Sequence, residues 1–146
     1  MRRHRASVAL VTWTFLVWTT RIGNIWRDAE LSTGEQWGRT LLAVSFTVLG
    51  LAVVVALWRR VAPAVVVTVG ALAAWTTGVW VVRGTGILAG DHELGFKAVH
   101  AVLAVVSIVL AALAWREVRR AAAAGRSPTT PTTAPTVSSE AVGRQG

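Results

Sequence analysis

Thr40-Leu41-Leu42-Ala43-Val44-Ser45-Phe46-Thr47-Val48-Leu49-Gly50-Leu51-Ala52-Val53-Val54-Val55-Ala56-Leu57-Trp58 runs without a charged residue and stops at Arg59-Arg60. An uncharged apolar stretch of this length crosses the ~30 Å hydrocarbon core of a bilayer as one helix. Just before it, Ser32-Thr33-Gly34-Glu35 has capping-box spacing, with Ser32 as N-cap and Glu35 reaching back to it. The helix is therefore expected over about 34–58, with its first turn standing out of the membrane or the whole helix tilting. Val61-Ala62 leaves only a short turn before Pro63, whose missing N–H is harmless in a first helical turn. A second helix, about 63–83, should pair with the first as an antiparallel hairpin.

Two further apolar segments flank this hairpin. Met1-Arg2-Arg3-His4-Arg5 is a basic head ahead of an apolar run that ends at Thr19-Thr20-Arg21-Ile22-Gly23-Asn24-Ile25-Trp26-Arg27-Asp28. At this length, and with no small-residue cleavage site after it, the run reads as an uncleaved transmembrane helix over about 6–26. After Arg83 come the glycine-spaced loop Gly84-Thr85-Gly86-Ile87-Leu88-Ala89-Gly90 and the polar stretch Asp91-His92-Glu93-Leu94-Gly95-Phe96-Lys97-Ala98-Val99-His100. That stretch opens a last helix over about 92–116, with Asp91 as N-cap and Arg116, Arg119 and Arg120 closing it. The expected fold is all-α, a four-helix transmembrane bundle over 1–120. A Ser/Thr/Pro tail over 121–146 cannot bury enough apolar surface to order itself and is expected to be disordered and cytoplasmic.

Composition agrees with a bilayer solvent, since 53% of residues are hydrophobic and only 15% charged. Cysteine is absent, which excludes disulfides, thiolate metal sites and a cysteine nucleophile. The cations are 14 Arg and one Lys. They gather at helix ends and form no basic face, so a nucleic-acid partner is not indicated. With four spans, Arg2, Arg3, Arg5, Arg59, Arg60 and the five arginines from Arg116 onward lie on one side. Arg21, Arg27, Arg39, Arg83 and Lys97 lie on the other, where Asp28, Glu30, Glu35, Asp91 and Glu93 neutralise them. All of the net +8 thus falls on one side, and the excess of basic residues there places both termini in the cytoplasm of a multi-pass plasma-membrane protein. That basic face should attract anionic lipids at about 1 kcal/mol per nearby Arg.

Ionisable groups at membrane depth are costly and mark candidate sites. His92, Phe96 and His100 fall at i, i+4 and i+8 on one face, which Ala104, Ser107 and Ala111 continue inward. One expectation is that His100 and its neighbours form an outward-facing proton, ion or anionic-ligand site. The plainer one is that His100 binds a neighbouring helix and fixes packing. His92 and His100 lie ~12 Å apart along a helix, too far for one ion, and Asp91-His92-Glu93 lacks the ligand spacing of a known metal site. A bis-histidine haem would need His100 from two copies. No phosphate-binding glycine motif, nucleophile elbow or intramembrane carboxylate pair is present, so neither an enzyme nor a bound cofactor is expected. Of eight tryptophans, Trp18, Trp26, Trp37, Trp58, Trp80 and Trp115 suit the interfacial aromatic belt, while Trp13 and Trp75 are placed in the packing. Gly70, Ala74 and Gly78 form a small-residue stripe that a second helix could approach.

Thr20-Arg21-Ile22-Gly23-Asn24, Val79-Trp80-Val81-Val82-Arg83 and Asp91-His92 with Gly95-Phe96-Lys97-Ala98-Val99-His100, followed by Leu103 and Ser107-Ile108, resemble the signature of uncharacterised four-helix integral membrane proteins of actinobacteria. The likeness covers about residues 8–116. It implies the topology and the plasma-membrane location, carries no activity, and implies that Arg21, Asn24, Arg83, Asp91, His92, Lys97 and His100 belong to one outer-side constellation. Topology adds Arg27 to that group. The expected function is a structural or partner-binding membrane component, acting with a membrane-protein partner or as a homo-oligomer. A transporter or channel component using His100 is the first alternative, and a haem- or metal-binding redox protein the second.

Overall fold

A computed structural model of the chain describes residues 4–125. Within them are four α-helices, α1 (Arg5–Ile25), α2 (Thr33–Arg59), α3 (Ala62–Ala89) and α4 (Leu94–Ala124). No strand occurs among the described residues. Of the expected 121–146 tail, residues 121–124 belong to α4 instead, and the part beyond Gly125 lies outside the described residues.

α2 begins as its sequence requires. The Ser32 hydroxyl accepts from the Glu35 N–H at 3.4 Å, and the Glu35 carboxylate accepts from the Ser32 N–H at 3.0 Å, a reciprocal capping box. It ends at Arg60, held in the left-handed region at φ 55, which turns the chain within two residues into α3 and its early Pro63.

Two helices run further than their sequences suggest. α3 continues through Gly84-Thr85-Gly86 to Ala89, where a glycine-spaced loop was expected. Where water is scarce each peptide group must find an internal partner, and helical i→i−4 bonds supply it even through glycine; the Thr85 hydroxyl also donates to the Val81 carbonyl at 2.9 Å. α4 continues past Arg116 to Ala124 because the Arg- and Ala-rich segment has high helix propensity. Its start is Leu94, so Asp91 is not its N-cap; Glu93 holds that position.

The helices form a ring in which α1 packs on α2 and α4, and α3 on α2 and α4. Cross-helix contacts set an antiparallel register. Trp18 of α1 stacks on Phe46 of α2 at 4.1 Å. The Trp75 indole N–H of α3 donates to the Ser45 hydroxyl of α2 at 3.0 Å, and the Trp13 indole N–H of α1 donates to the Ser107 hydroxyl of α4 at 2.9 Å. The core between them is Leu10, Phe46, Val53, Val69 and Leu72, with Ala43, Ala111 and Ala114 allowing close approach. Two tryptophans assigned to the interfacial belt, Trp18 and Trp80, are buried in this core instead. Of the small-residue stripe only Gly70 is used: a Cβ there would lie 2.8 Å from the Trp115 ring, while Gly78 faces open space.

α2, α3 and α4 are each long and apolar enough to cross a membrane. Their outer faces carry exposed apolar side chains such as Leu41, Val48, Leu51, Val67, Val82, Val102, Val105 and Leu113, which water would not tolerate in such number on a monomer. α1 does not reach the same apolarity, diluted by Thr12, Thr14, Thr19, Thr20, Arg21 and Asn24. With 21 residues it is nevertheless about 31 Å long and runs the height of the bundle.

Candidate functional site

One end of the bundle carries the α1–α2 and α3–α4 connections and is called the loop end here. There every helix brings one basic side chain to its bundle-facing side. On α1, Arg21 lies between buried Trp18 and Ile25. On α2, Arg39 precedes buried Ala43 and Phe46 by four and seven residues. On α3, Arg83 follows buried Thr76 and Trp80 by seven and three. On α4, His100 precedes buried Ser107 by seven. All four are half-buried.

The cross-helix contacts fix their heights. His100 and Arg21 lie about 3–5 Å toward the loop end of the Trp18–Phe46 stack, and Arg39 and Arg83 about 10–14 Å, at 1.5 Å per residue. The Cα–Cβ bond of Arg83 tilts back down the bundle toward Arg21. The guanidinium groups of Arg21, Arg39 and Arg83 consequently lie within Coulombic range of one another. Among the described residues no carboxylate lies within 4.0 Å of any of them. Glu35 is within longer range of Arg39 but is occupied by Ser32. It sits ahead of the apolar part of α2, which starts at Thr40. Donation from the Ser32 hydroxyl and N–H holds its carboxyl below the ordinary value.

Buried polar atoms without a hydrogen-bond partner line the same end: Thr40 Oγ1, Thr76 Oγ1 and His100 Nε2. His100 Nδ1 lies 2.9 Å from the Phe96 carbonyl of its own helix. A carbonyl only accepts, so Nδ1 carries a proton, while Nε2 is left without a partner. The aromatic run expected on this face is present, with His92 5.0 Å from Phe96 and Phe96 4.0 Å from His100 between ring centres.

The other expected site residues are scattered. Lys97 is a clasp, its Nζ donating to the Leu88 carbonyl at 3.2 Å and so tying α4 to the last turn of α3. Asn24 is exposed on the last turn of α1, and Arg27, Asp91 and His92 are exposed on the connections. Arg39 was overlooked in the sequence, although its spacing from Ala43 and Phe46 could have revealed it once the capping box had set the phase of α2.

A second network, unforeseen from sequence, lies at the opposite end. The Glu117 carboxylate of α4 accepts from the Ala6 N–H at 2.9 Å, the Ser7 hydroxyl at 2.9 Å and the Ser7 N–H at 3.4 Å, with His4 at 3.9 Å. It caps α1 from another helix, supplying the acceptor and negative charge that the start of α1 lacks. Beside it opens a cavity of about 1010 Å³ with walls of Val8, Leu57, Val65 and Val118 and His4 and Arg60 as polar members. Its lining is mostly apolar and remote from Arg21, Arg39 and Arg83, so it adds no chemistry to the loop end. Among the described residues no group of three or more His, Asp or Glu comes together to hold a metal ion.

No protein-family model, curated protein or solved structure matches the chain.

Proposed function

We propose that this chain is a non-enzymatic, multi-pass plasma-membrane component with both termini cytoplasmic, and that its outer, loop end binds an anionic group brought by a partner molecule. One observation carries the reading: Arg21, Arg39 and Arg83 from three helices lie half-buried within Coulombic range of one another, and among the described residues no carboxylate is within 4.0 Å of them. Half-buried like charges repel and have lost part of their hydration, so holding them together is unfavourable unless an anion joins them. Packing alone would be served better by apolar side chains at these bundle-facing positions. α1 counts as the fourth span in this reading, and the basic opposite face meets anionic lipid in the inner leaflet.

The test is crosslinking and pull-down in native membranes, comparing wild type with an Arg21→Gln/Arg83→Gln double variant. Loss of a crosslinked species from a variant that keeps its helicity supports the reading. An unchanged set of species counts against it. Cysteines at Ser32 or Gly90 should label from outside intact cells and one at Ser127 only after permeabilisation; labelling of Ser127 in intact cells would reverse the orientation.

A second reading, a carrier or channel component, draws on the unpartnered Nε2 of His100. Under it, His100→Ala would abolish pH-dependent flux in proteoliposomes with the fold intact. Wild-type proteoliposomes without flux would leave the binding reading alone.

A further inference from the structure

The loop end differs from a general positive patch in the number, direction and type of its polar groups. Three guanidinium groups arrive from α1, α2 and α3, each a planar fork of N–H donors. A carboxylate has two oxygens and satisfies one fork; chloride has no directional acceptors at all. A tetrahedral oxyanion has enough oxygens to meet three forks from three sides. Charge points the same way, since a monovalent anion leaves two of three positive charges uncompensated and a dianion leaves one.

The neutral polar atoms narrow the class further. Thr76, 3% exposed, carries an Oγ1 without a partner and stands two turns below Arg83 on the same face. Its hydroxyl can donate to an anionic oxygen. His100 gives its Nδ1–H to Phe96, and its unpartnered Nε2 accepts from a proton-bearing oxygen when the ring is neutral and donates to an anionic oxygen when it is protonated. An anion that carries both a proton and free oxygens satisfies His100 in either state. Hydrogen phosphate has both as a dianion, and a phosphate monoester has both while singly ionised; sulfate, acetate and chloride carry no proton near neutral pH.

We infer that the loop end of the bundle is a site for a phosphate or phosphomonoester group, clasped by Arg21, Arg39 and Arg83 and reached by Thr76 and His100. The inference rests on the reading above that this end binds an anion. Two sources offer this chemistry, free inorganic phosphate and the headgroup of a phosphomonoester lipid such as phosphatidic acid.

The experiment is thermal unfolding of the full chain in maltoside micelles at constant ionic strength and neutral pH, titrated separately with sodium phosphate, sulfate, acetate and chloride. A ligand that binds only the folded state stabilises it saturably. Phosphate should half-saturate at a concentration about tenfold below that of the other three, the worth of one good hydrogen bond to a charged group. Arg83→Gln, and independently Arg21→Gln, should raise that concentration about tenfold or more. Arg59→Gln, at the other end, should leave it unchanged. His100→Ala should remove the preference for phosphate over sulfate while sulfate still binds. Circular dichroism and unfolding without added anion show whether each variant folds; the two arginine variants each relieve repulsion, so at least one is available as a folded test.

Equal responses to all four anions, lost in the arginine variants, would overturn the phosphate class but uphold anion binding. Stabilisation by none would overturn both. In nanodiscs, stabilisation by phosphatidic acid over phosphatidylcholine, with no further response to added phosphate, assigns the lipid source. A response to inorganic phosphate in phosphatidylcholine discs assigns the soluble one. Response to neither in nanodiscs overturns the inference.

Discussion

Replacing Glu117 with alanine should loosen α1 from the bundle. The carboxylate takes three donors from the first turn of α1, two of them at 2.9 Å. Ser7, fully buried, would be left with an unpartnered hydroxyl; an unsatisfied buried group costs about 1–3 kcal/mol. The lost negative charge at a helix N-terminus adds about 0.3–1 kcal/mol. The side chain of Glu117 is only 21% exposed, so solvent screens it incompletely. Together these give a loss of about 1–4 kcal/mol. Glu117→Gln keeps an acceptor of the same shape and should lose about half as much. Reversible unfolding in mixed micelles, titrated with denaturing detergent and followed by tryptophan fluorescence, measures both. The reasoning fails if Glu117→Ala costs less than about 0.5 kcal/mol, the level of an ordinary surface change. It fails equally if Ser7→Ala and Glu117→Ala are additive in a double-mutant cycle, since groups sharing hydrogen bonds must couple.

Trp13→Phe and Ser107→Ala should each weaken the α1–α4 contact, with a coupling energy of about 0.6–1.7 kcal/mol for their hydrogen bond in a double-mutant cycle; zero coupling would remove the bond from the account. Gly70→Ala should destabilise by about 1–3 kcal/mol, because the new Cβ meets the Trp115 ring of α4 at 2.8 Å, and Trp115→Leu should recover most of that loss in the same unfolding assay. Arg39→Gln should raise the melting temperature at low salt in anion-free buffer, by relieving repulsion from Arg21 and Arg83, and the gain should shrink as salt is added; a lower melting temperature at low salt would contradict the cluster. The capping of α2 depends on ionised Glu35, whose carboxyl is held low by Ser32. Its contribution is therefore present above the ordinary carboxylate value and is lost as pH falls through the depressed one. Amide exchange of Thr33–Gln36 should accelerate on acidification through that range and lose this dependence in Glu35→Gln.

Much of the fold was legible because membrane helices announce themselves through long runs of one polarity. Thr40–Trp58 needed no neighbour to be recognised, and the capping box at Ser32 and Pro63 after Arg60 marked the hairpin to within a residue or two. The expectation falls short of two helix ends: at Gly84–Ala89 because stop signals weaken where backbone groups have little water to turn to, and at Arg116–Ala124 because Arg and Ala have high helix propensity. The apolarity of α1 was overvalued, since its threonines and Arg21 count against it in any local window.

The candidate site divides along the same line. Sequence alone determined which residues carry charge, that Phe96 and His100 share a face of one helix, and that α2, α3 and α4 are helices fit for a bilayer. These depend on spacing within one element, and the 3.6-residue turn transmits spacing faithfully. Only the tertiary structure decided that Arg21, Arg39 and Arg83 come within Coulombic range of one another, that Glu117 caps a helix more than 100 residues away, and that Trp18 and Trp80 are buried rather than in the belt. Those outcomes depend on the rotation and height of one helix against another. Contacts between side chains far apart in the chain set both, and no single element contains that information.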